Sequence, residues 1–455
     1  MALAEKLASY ALSTKYSDLG GATVAQLKLR VVDALGCALG AYRERPVVIA
    51  RRVAETESAR GEATILGTET KTSEELATFV NGLMIRYFDF NDTYLSKEPA
   101  HPSDNLSACL AVAEKEGASG KEFLTAAATA YEIQCRLCDA ADIRHRGWDH
   151  VNYGLVSTAL AASKLMGLDA KRAAQAVNIA LSGHIAMRQV RAGELSMWKG
   201  ASFANAARNG VFAARLAAEG MTGPAPVFEG EMGFFKQVSG PFRLSPEGFG
   251  RKGRGFRVND TYIKYWPAEY HAQTAIWAAL EVRKRIKGPG DVETVLVETH
   301  EAGYNILGKD REKWHPTTKE TADHSLPFMV GMALLKGTIE NASYSEENIA
   351  SKETLSFLRR VTVKEDPDLT ALYPSKGMGS RVTLKLKDGR MVSAENLVPK
   401  GHPLNPMSRA DVEAKFIRLC QRQLGARTSR EALKALWQLD AVGSVRGVPG
   451  LLRVR

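Results

Sequence analysis

The stretch YFDFNDTYLSKEPAHPSDN (87–105) gathers Asp89, Asp92, Thr93, His101, Ser103, Asp104 and Asn105 into one short interval. It follows an apolar helical pattern and carries Pro99 and Pro102, so it reads as a polar loop leaving a helix end. A histidine there can take or deliver a proton, and a carboxylate beside it can fix which ring nitrogen holds that proton. A surface loop whose Ser103 or Asp104 caps the next helix accounts for the same residues equally well. In RHRGWDHVNYG (144–154), Asp149 and His150 stand just ahead of an alanine-rich segment. The positive end of a helix lowers the proton affinity of an imidazole placed there, although His150 in a packing or capping role is the plainer reading.

Cationic residues cluster elsewhere. In MRQVRAGELSMWKGASFANAARNG (187–210), Arg188 and Arg191 are three residues apart and can face the same way. Lys199, beside Trp198, stands just before an apolar helix. Guanidinium groups bind carboxylates bidentately and an ammonium binds them as a point charge; a solvated basic turn is the alternative. YIKYWPAEYHAQTA (262–275) adds Lys264, Glu269 and His271, and ETADHSLPF (320–328) adds Asp323 and His324. Other signals carry less. Gly248-x-Gly250-x-x-Gly253 follows no strand and opens no helix, so a nucleotide loop is not expected. Cys135-x-x-Cys138 lies inside a helical pattern without a second pair, and the spacing around His101 fits no standard site, so no metal is expected.

The elements that must position these clusters are mostly helices. Residues 24–42 place Leu27, Val31, Val32, Leu35 and Leu39 on one face. Helical patterns also cover 74–88, 104–116, 120–140, 155–167, 170–183 and 201–219, with one strand-like piece at 63–69. Glycine and proline then mark 221–262 as long loops. A helix follows at 268–286, strands at 292–299 and 359–366, a helix at 325–336, and a hairpin over 381–396 with Asp388-Gly389 at its turn. The region 407–440 is helical again. The expected fold is mainly α with an α+β part. A large helical domain spans 1–267, with 397–455 returning to it, and a smaller α+β domain spans 268–396.

The chain has 455 residues, 45% hydrophobic and 25% charged, which excludes disorder. Five cysteines exclude a disulfide scaffold and fit a reducing compartment. No apolar run is long enough for a membrane span, and Glu5 and Lys6 interrupt what a signal peptide would need. A cytoplasmic protein without membrane partners is expected. The net charge of +10 favours anionic partners, either a small polycarboxylate or nucleic acid. Apart from Arg251, Lys252, Arg254 and Arg257 the basic residues are scattered, and no nucleic-acid motif accompanies them, so nucleic acid is not expected.

Taken in order and spacing, DFNDTYLSKEPAHPSDNL, WDHVNYG, MWKGASFANAARNG, KYWPAEYHAQTA and ADHSLPF resemble the 2-methylcitrate dehydratase (MmgE/PrpD) family over nearly the whole chain. That family also holds cis-aconitate decarboxylases. The resemblance implies a large all-helical domain with a smaller α/β lid domain, a homodimer, a site in the cleft between domains, and no iron–sulfur cluster or other cofactor. Asp89, Thr93 and His101 match its acidic-loop residues, His150 the second histidine, and Lys199 and Lys264 its lysines. His271 and His324 match further positions. The implied activity is hydro-lyase dehydration of a hydroxy tricarboxylate, 2-methylcitrate to 2-methyl-cis-aconitate. A decarboxylase or an isomerase or epimerase on the same fold is the alternative. Phe328, where decarboxylases tend to have tyrosine, and the presence of Asp104-Asn105 both lean away from decarboxylation. On this reading His101 and His150 are the acid/base pair, in either order. Asp89 orients a histidine, and Thr93 hydrogen-bonds substrate. Arg188, Arg191, Lys199 and Lys264 hold carboxylates, with His271 and His324 also at the substrate.

Overall fold

Serine caps at the heads of some of the apolar-periodic stretches mark where those helices begin. The computed structural model describes residues 1–57, 61–193, 195–374 and 376–454. In it, Ser73 accepts a hydrogen bond from the Leu76 amide at the head of Glu74–Arg86. Ser119 and Glu122 form a reciprocal capping box ahead of Gly120–Ala140. Gly117, at φ 69°, ends Leu106–Glu116 in the left-handed conformation that glycine adopts without strain.

The alanine-rich helices Asn152–Leu165, Ala170–Gly183 and Trp198–Ala218 pack side by side, and their small residues set the spacing. A Cβ at Gly210 would come within 2.2 Å of Thr158 Oγ1, and one at Gly154 within 2.5 Å of the Phe203 ring. Every residue from Asn152 to Ser163 is buried, as expected of a helix without a polar face. Trp198–Ala218 begins earlier than its pattern suggests, so Lys199 lies inside its first turn rather than before it. The strand-like piece at 63–69 shrinks to β1 (Ala63–Thr64), paired antiparallel with β2 (Lys71–Thr72). Residues 221–262 contain only short 3₁₀ and π turns among the described residues, in keeping with long loops.

The later segment forms one four-stranded sheet. It comprises β3 (Val292–Thr299), β4 (Val361–Glu365), β5 (Ser380–Leu386) and β6 (Met391–Asn396), in spatial order β4-β3-β5-β6. β3 and β4 run parallel, while β5 pairs antiparallel with both β3 and β6. The β5–β6 turn is Asp388-Gly389, with Gly389 at φ 86°. The helices Gln273–Arg283 and Leu326–Lys336 share a separate apolar core with this sheet, built from residues between Trp266 and Leu386. Large helical and smaller α/β parts are therefore both present.

The last helices pack on the first part of the chain. Arg409–Leu424 lies against Gly20–Gly40, where Gly36 leaves room for Phe416. From that helix the buried Lys415 Nζ reaches Asp33 Oδ1 at 2.6 Å and donates to the carbonyls of Phe90 at 2.7 Å and Lys264 at 2.9 Å. Among the described residues, no helix is long and apolar enough to cross a membrane.

Removing one partner of a buried ion pair strands the other. Lys415→Met should lower the unfolding free energy by about 3 kcal/mol, read as an earlier urea midpoint at unchanged slope.

Candidate active site

The helix Glu74–Arg86 ends at Tyr87, and three residues past its last turn Asp89 adopts φ 49°, the one described non-glycine residue with positive φ. Such a conformation persists only where surrounding contacts over-determine it. Here three cations do so. Arg86 NH1 donates to Asp89 Oδ1 at 2.7 Å, Lys264 Nζ lies 2.5 Å from the same oxygen and also donates to the Asp89 carbonyl, and Lys199 Nζ donates to Oδ2 at 3.1 Å. Burial alone would raise the carboxyl pKa, but the charges of Arg86, Lys264 and Lys199 outweigh it and hold Asp89 well below the ordinary range. The loop 87–105 is largely an interior segment, not a surface one. Ser103 and Asp104 do not cap the following helix; both face Asn91 Nδ2 instead, at 2.9 and 2.7 Å.

His101 is fixed by the same group. Its Nδ1–H donates to the Asp92 carbonyl at 2.7 Å, which leaves Nε2 to accept from Arg86 NH2 at 2.9 Å. Burial, reinforced by the Arg86 and Lys264 charges, keeps the imidazole neutral far below its ordinary pKa. The His150 ring stands 5.8 Å away, centroid to centroid. It is buried, with Nε2 3.7 Å from Asp149 Oδ1 and Nδ1 without a hydrogen-bond partner among the described residues. Burial first, then the Arg191 charge, pushes its pKa well down. Asp149 accepts from Arg191 Nε at 2.8 Å and from Ser202 Oγ at 3.0 Å; the Arg191 charge overcomes burial and lowers the carboxyl to about 2. Arg188 lies in the same 3₁₀ turn as Arg191, half-buried, and its guanidinium makes no hydrogen bond or ion pair among the described residues. Asp104, buried 3.8 Å from Arg86 Nε, is pushed up to about 7 by burial.

The smaller part closes the arrangement. Lys199 Nζ also lies 3.4 Å from Asp323 Oδ1 and 3.1 Å from His324 Nδ1. His324 Nδ1 also lies 2.6 Å from Asp323 Oδ1, and Nε2 is left 3.6 Å from Asp89 Oδ2. Lys319 completes the Asp323 pair at 3.2 Å. Asp89, Asp323 and His324 come close enough to hold a metal ion, but the Lys199 ammonium already sits among those atoms. A divalent ion there would meet a fixed positive charge.

Of the residues singled out from sequence, Asp89, His101, His150, Arg191, Lys199, Lys264 and His324 fall into one connected network, with Arg188 beside it. Thr93 does not offer its hydroxyl to that network. Oγ1 donates to the Ala100 carbonyl at 3.1 Å, and the backbone bridges to Tyr262. The Thr93 hydroxyl thus uses its proton inside the loop and keeps its lone pairs to accept. His271 belongs to an adjoining cluster, with Nδ1 2.8 Å from Glu269 Oε1 and Nε2 3.2 Å from the Tyr373 hydroxyl. The His300 ring lies 5.3 Å from it. Sequence reasoning missed Arg86, which joins Asp89 to His101. Its only signal is a cation in the last turn of an apolar helix, three residues before an aspartate.

Two neutral imidazoles beside clustered cations, at the seam of a helical part and an α/β part, suit acid–base chemistry on a carboxylate-bearing molecule. The MmgE/PrpD N-terminal domain matches residues 5–247 and the MmgE/PrpD C-terminal domain residues 266–440; the chain belongs to this family. It is 31% identical to a 2-methylcitrate dehydratase of Cupriavidus necator, over 86% of this chain and 84% of that protein. It is also 31% identical to one of Escherichia coli K12, over 79% and 77%. A fungal alkylcitrate dehydratase is 28% identical over 87% and 83%.

Asp89→Asn can keep the left-handed backbone, since asparagine tolerates it, but leaves three buried cations without their shared charge. A loss of about 3–5 kcal/mol in unfolding free energy by urea titration is expected. A neutral effect would refute the clamp.

Proposed function

We propose that this protein is a hydro-lyase that dehydrates 2-methylcitrate or a close alkyl homologue without a cofactor. The observation that carries this reading is the pair of neutral imidazoles, His101 and His150, 5.8 Å apart beside the Arg188 guanidinium, which makes no hydrogen bond or ion pair among the described residues. The names of the relatives supply the substrate class. In the reaction, a base removes the proton from the carbon next to one carboxylate. The C–H electron pair becomes the double bond, the neighbouring C–O bond breaks, and the departing oxygen takes a proton and leaves as water.

His150 is the better base, because its Nδ1 has no partner among the described residues while both nitrogens of His101 are engaged. The departing oxygen needs a group that already carries a proton to give; the Lys264 and Lys199 ammonium groups do, and the neutral His101 can act as the acid only after its Nε2 has taken a proton. Charge that builds on the carboxylate during proton removal is met by fixed cations, which need no reorganisation at that moment. Arg86, Arg188, Arg191, Lys199, Lys264 and Lys319 outnumber the ionised Asp89, Asp149 and Asp323, so the site as a whole favours a polyanion.

By packing, we assign 1–267 with 397–455 to the helical domain and 268–396 to the smaller one; the apolar clusters divide close to those limits. We further infer a cytoplasmic homodimer. Five free, buried cysteines fit a reducing compartment, and the exposed Met187, Met197, Trp198 and Phe212 offer apolar surface for a second copy next to the basic turn.

Wild-type protein should form the conjugated double bond from 2-methylcitrate, followed by ultraviolet absorbance, and His150→Ala should lower kcat at least about 100-fold with the fold intact by circular dichroism. An unimpaired His150→Ala enzyme would sink the assignment of the base.

The neutral form of His150 is the one that accepts a proton, and activity falls as pH drops through its pKa, which lies well below 6.5. The kcat/KM profile should therefore stay flat from pH 6.5 to about 8, with its acid limb below that window. A half-point at the ordinary histidine value of 6.5 or above would contradict the environment described for this ring.

A further inference from the structure

His150 has cationic neighbours, which is awkward for a base that becomes positive as it works. The charges of Arg191, Arg86 and Arg188 all oppose a proton on its ring, and that of Asp149 favours one. His101, 5.8 Å away, is neutral. Asp149 Oδ1 lies 3.7 Å from His150 Nε2. This carboxylate is buried and held from three directions. Its backbone amide donates to the Ala186 carbonyl at 3.0 Å, Oδ1 accepts from Arg191 Nε at 2.8 Å, and Oδ2 accepts from Ser202 Oγ at 3.0 Å. Ser202 stands one turn after Lys199 in the helix Trp198–Ala218. The helix that carries Lys199 to Asp89 and Asp323 therefore also carries a hydroxyl to Asp149. Asn152 secures the Ala186 end: its Nδ2 donates to the Ala186 carbonyl at 3.1 Å, and its Oδ1 accepts from the Ala186 amide at 2.7 Å.

A fixed carboxylate beside one ring nitrogen attracts an N–H there and repels a lone pair. With Asp149 at Nε2, the neutral ring keeps its proton on Nε2 and its lone pair on Nδ1, the nitrogen without a partner among the described residues. We propose that Asp149 is a positioning residue for the dehydration, which acts through His150 Nε2 to keep Nδ1 open as the proton acceptor and to steady the imidazolium that forms. This rests on the dehydratase reading above and adds a residue to its machinery. In the step, the C–H bond breaks and its electron pair enters the new double bond, while the C–O bond breaks and the hydroxyl leaves with a proton as water. The carbon-bound proton joins His150 Nδ1, and Nε2 keeps its own. The new positive charge then faces Asp149, which Arg191 and Ser202 hold in place.

The test uses the full-length protein, 2-methylcitrate as substrate, and Asp149→Asn in two backgrounds, wild type and His150→Ala. In the wild-type background Asp149→Asn should lower kcat about 100-fold, with KM raised no more than about threefold because Arg191 keeps its charge for the substrate. In the His150→Ala background the same substitution should cost less than about threefold, since a residue that acts through the imidazole has nothing left to act on. A merely structural carboxylate would slow both backgrounds alike. A fall in kcat of less than about tenfold, or a loss that multiplies that of His150→Ala, would overturn the role of Asp149 while leaving the dehydratase reading intact. Should Asp149→Asn fail to fold by circular dichroism, Ser202→Ala decides, because it keeps the charge and frees one carboxylate oxygen. It should lower kcat at least about threefold in the wild-type background and leave His150→Ala unchanged; any other pattern overturns the proposal. A wild-type protein that does not turn over 2-methylcitrate would overturn both readings.

Discussion

One carboxylate in a water-poor interior holds Arg86, Lys199 and Lys264 together. Three like charges brought this close repel strongly unless a fixed negative charge stands among them. Asp89 supplies it from a backbone conformation that few side chains tolerate. Its consequences spread outward through the cations. Arg86 carries the constraint to His101 and settles its tautomer. Lys199 carries it across the seam to Asp323 and His324. Lys264 carries it to the segment before the smaller core, and Lys415 braces both Phe90 and Lys264 from the returning C-terminal helix. Two separately packed parts are thus referenced to a single side chain.

This division of charge has a functional meaning. At the centre, Asp89, Asp149 and Asp323 pair directly with the cations around them. At the edge, the Arg188 guanidinium makes no hydrogen bond or ion pair among the described residues. An acid with several carboxylates can complete the balance there, and its binding energy can be used to hold a reacting carbon against His150. Burial plays the complementary part. It keeps both imidazoles neutral, so one can accept a proton where an exposed histidine would already be partly charged.

The sequence made several parts of this legible, and for identifiable reasons. Asp89, His101, His150, Lys199, Lys264 and His324 all stand out as polar residues gathered at the edges of apolar helical patterns. The hairpin at Asp388-Gly389 and the strand Val292–Thr299 follow from local turn chemistry and β-branched residues. Arg86 escaped notice because a cation in the last turn of a helix is ordinary, and nothing local says that this one is buried. The sequence could not show that the Thr93 hydroxyl donates to a carbonyl seven residues away. The loop 87–105 looked like surface because it is polar; its counter-charges come from residues 199 and 264, which no local pattern can announce.

By itself, the sequence determined the elements: helical periodicity, alanine-rich close packing, the turn at Asp388-Gly389, and the order of a helical part, an α/β part and a returning pair of helices. These depend on interactions within a few residues or on a repeating pattern, and both can be read along a line. Only the tertiary structure decided which cation answers which carboxylate, which nitrogen of His101 bears the proton, and which way each pKa moves. Those outcomes depend on charges brought together from positions 110 and 175 residues apart and on how much water is excluded around them, and neither is a property of any short stretch of chain.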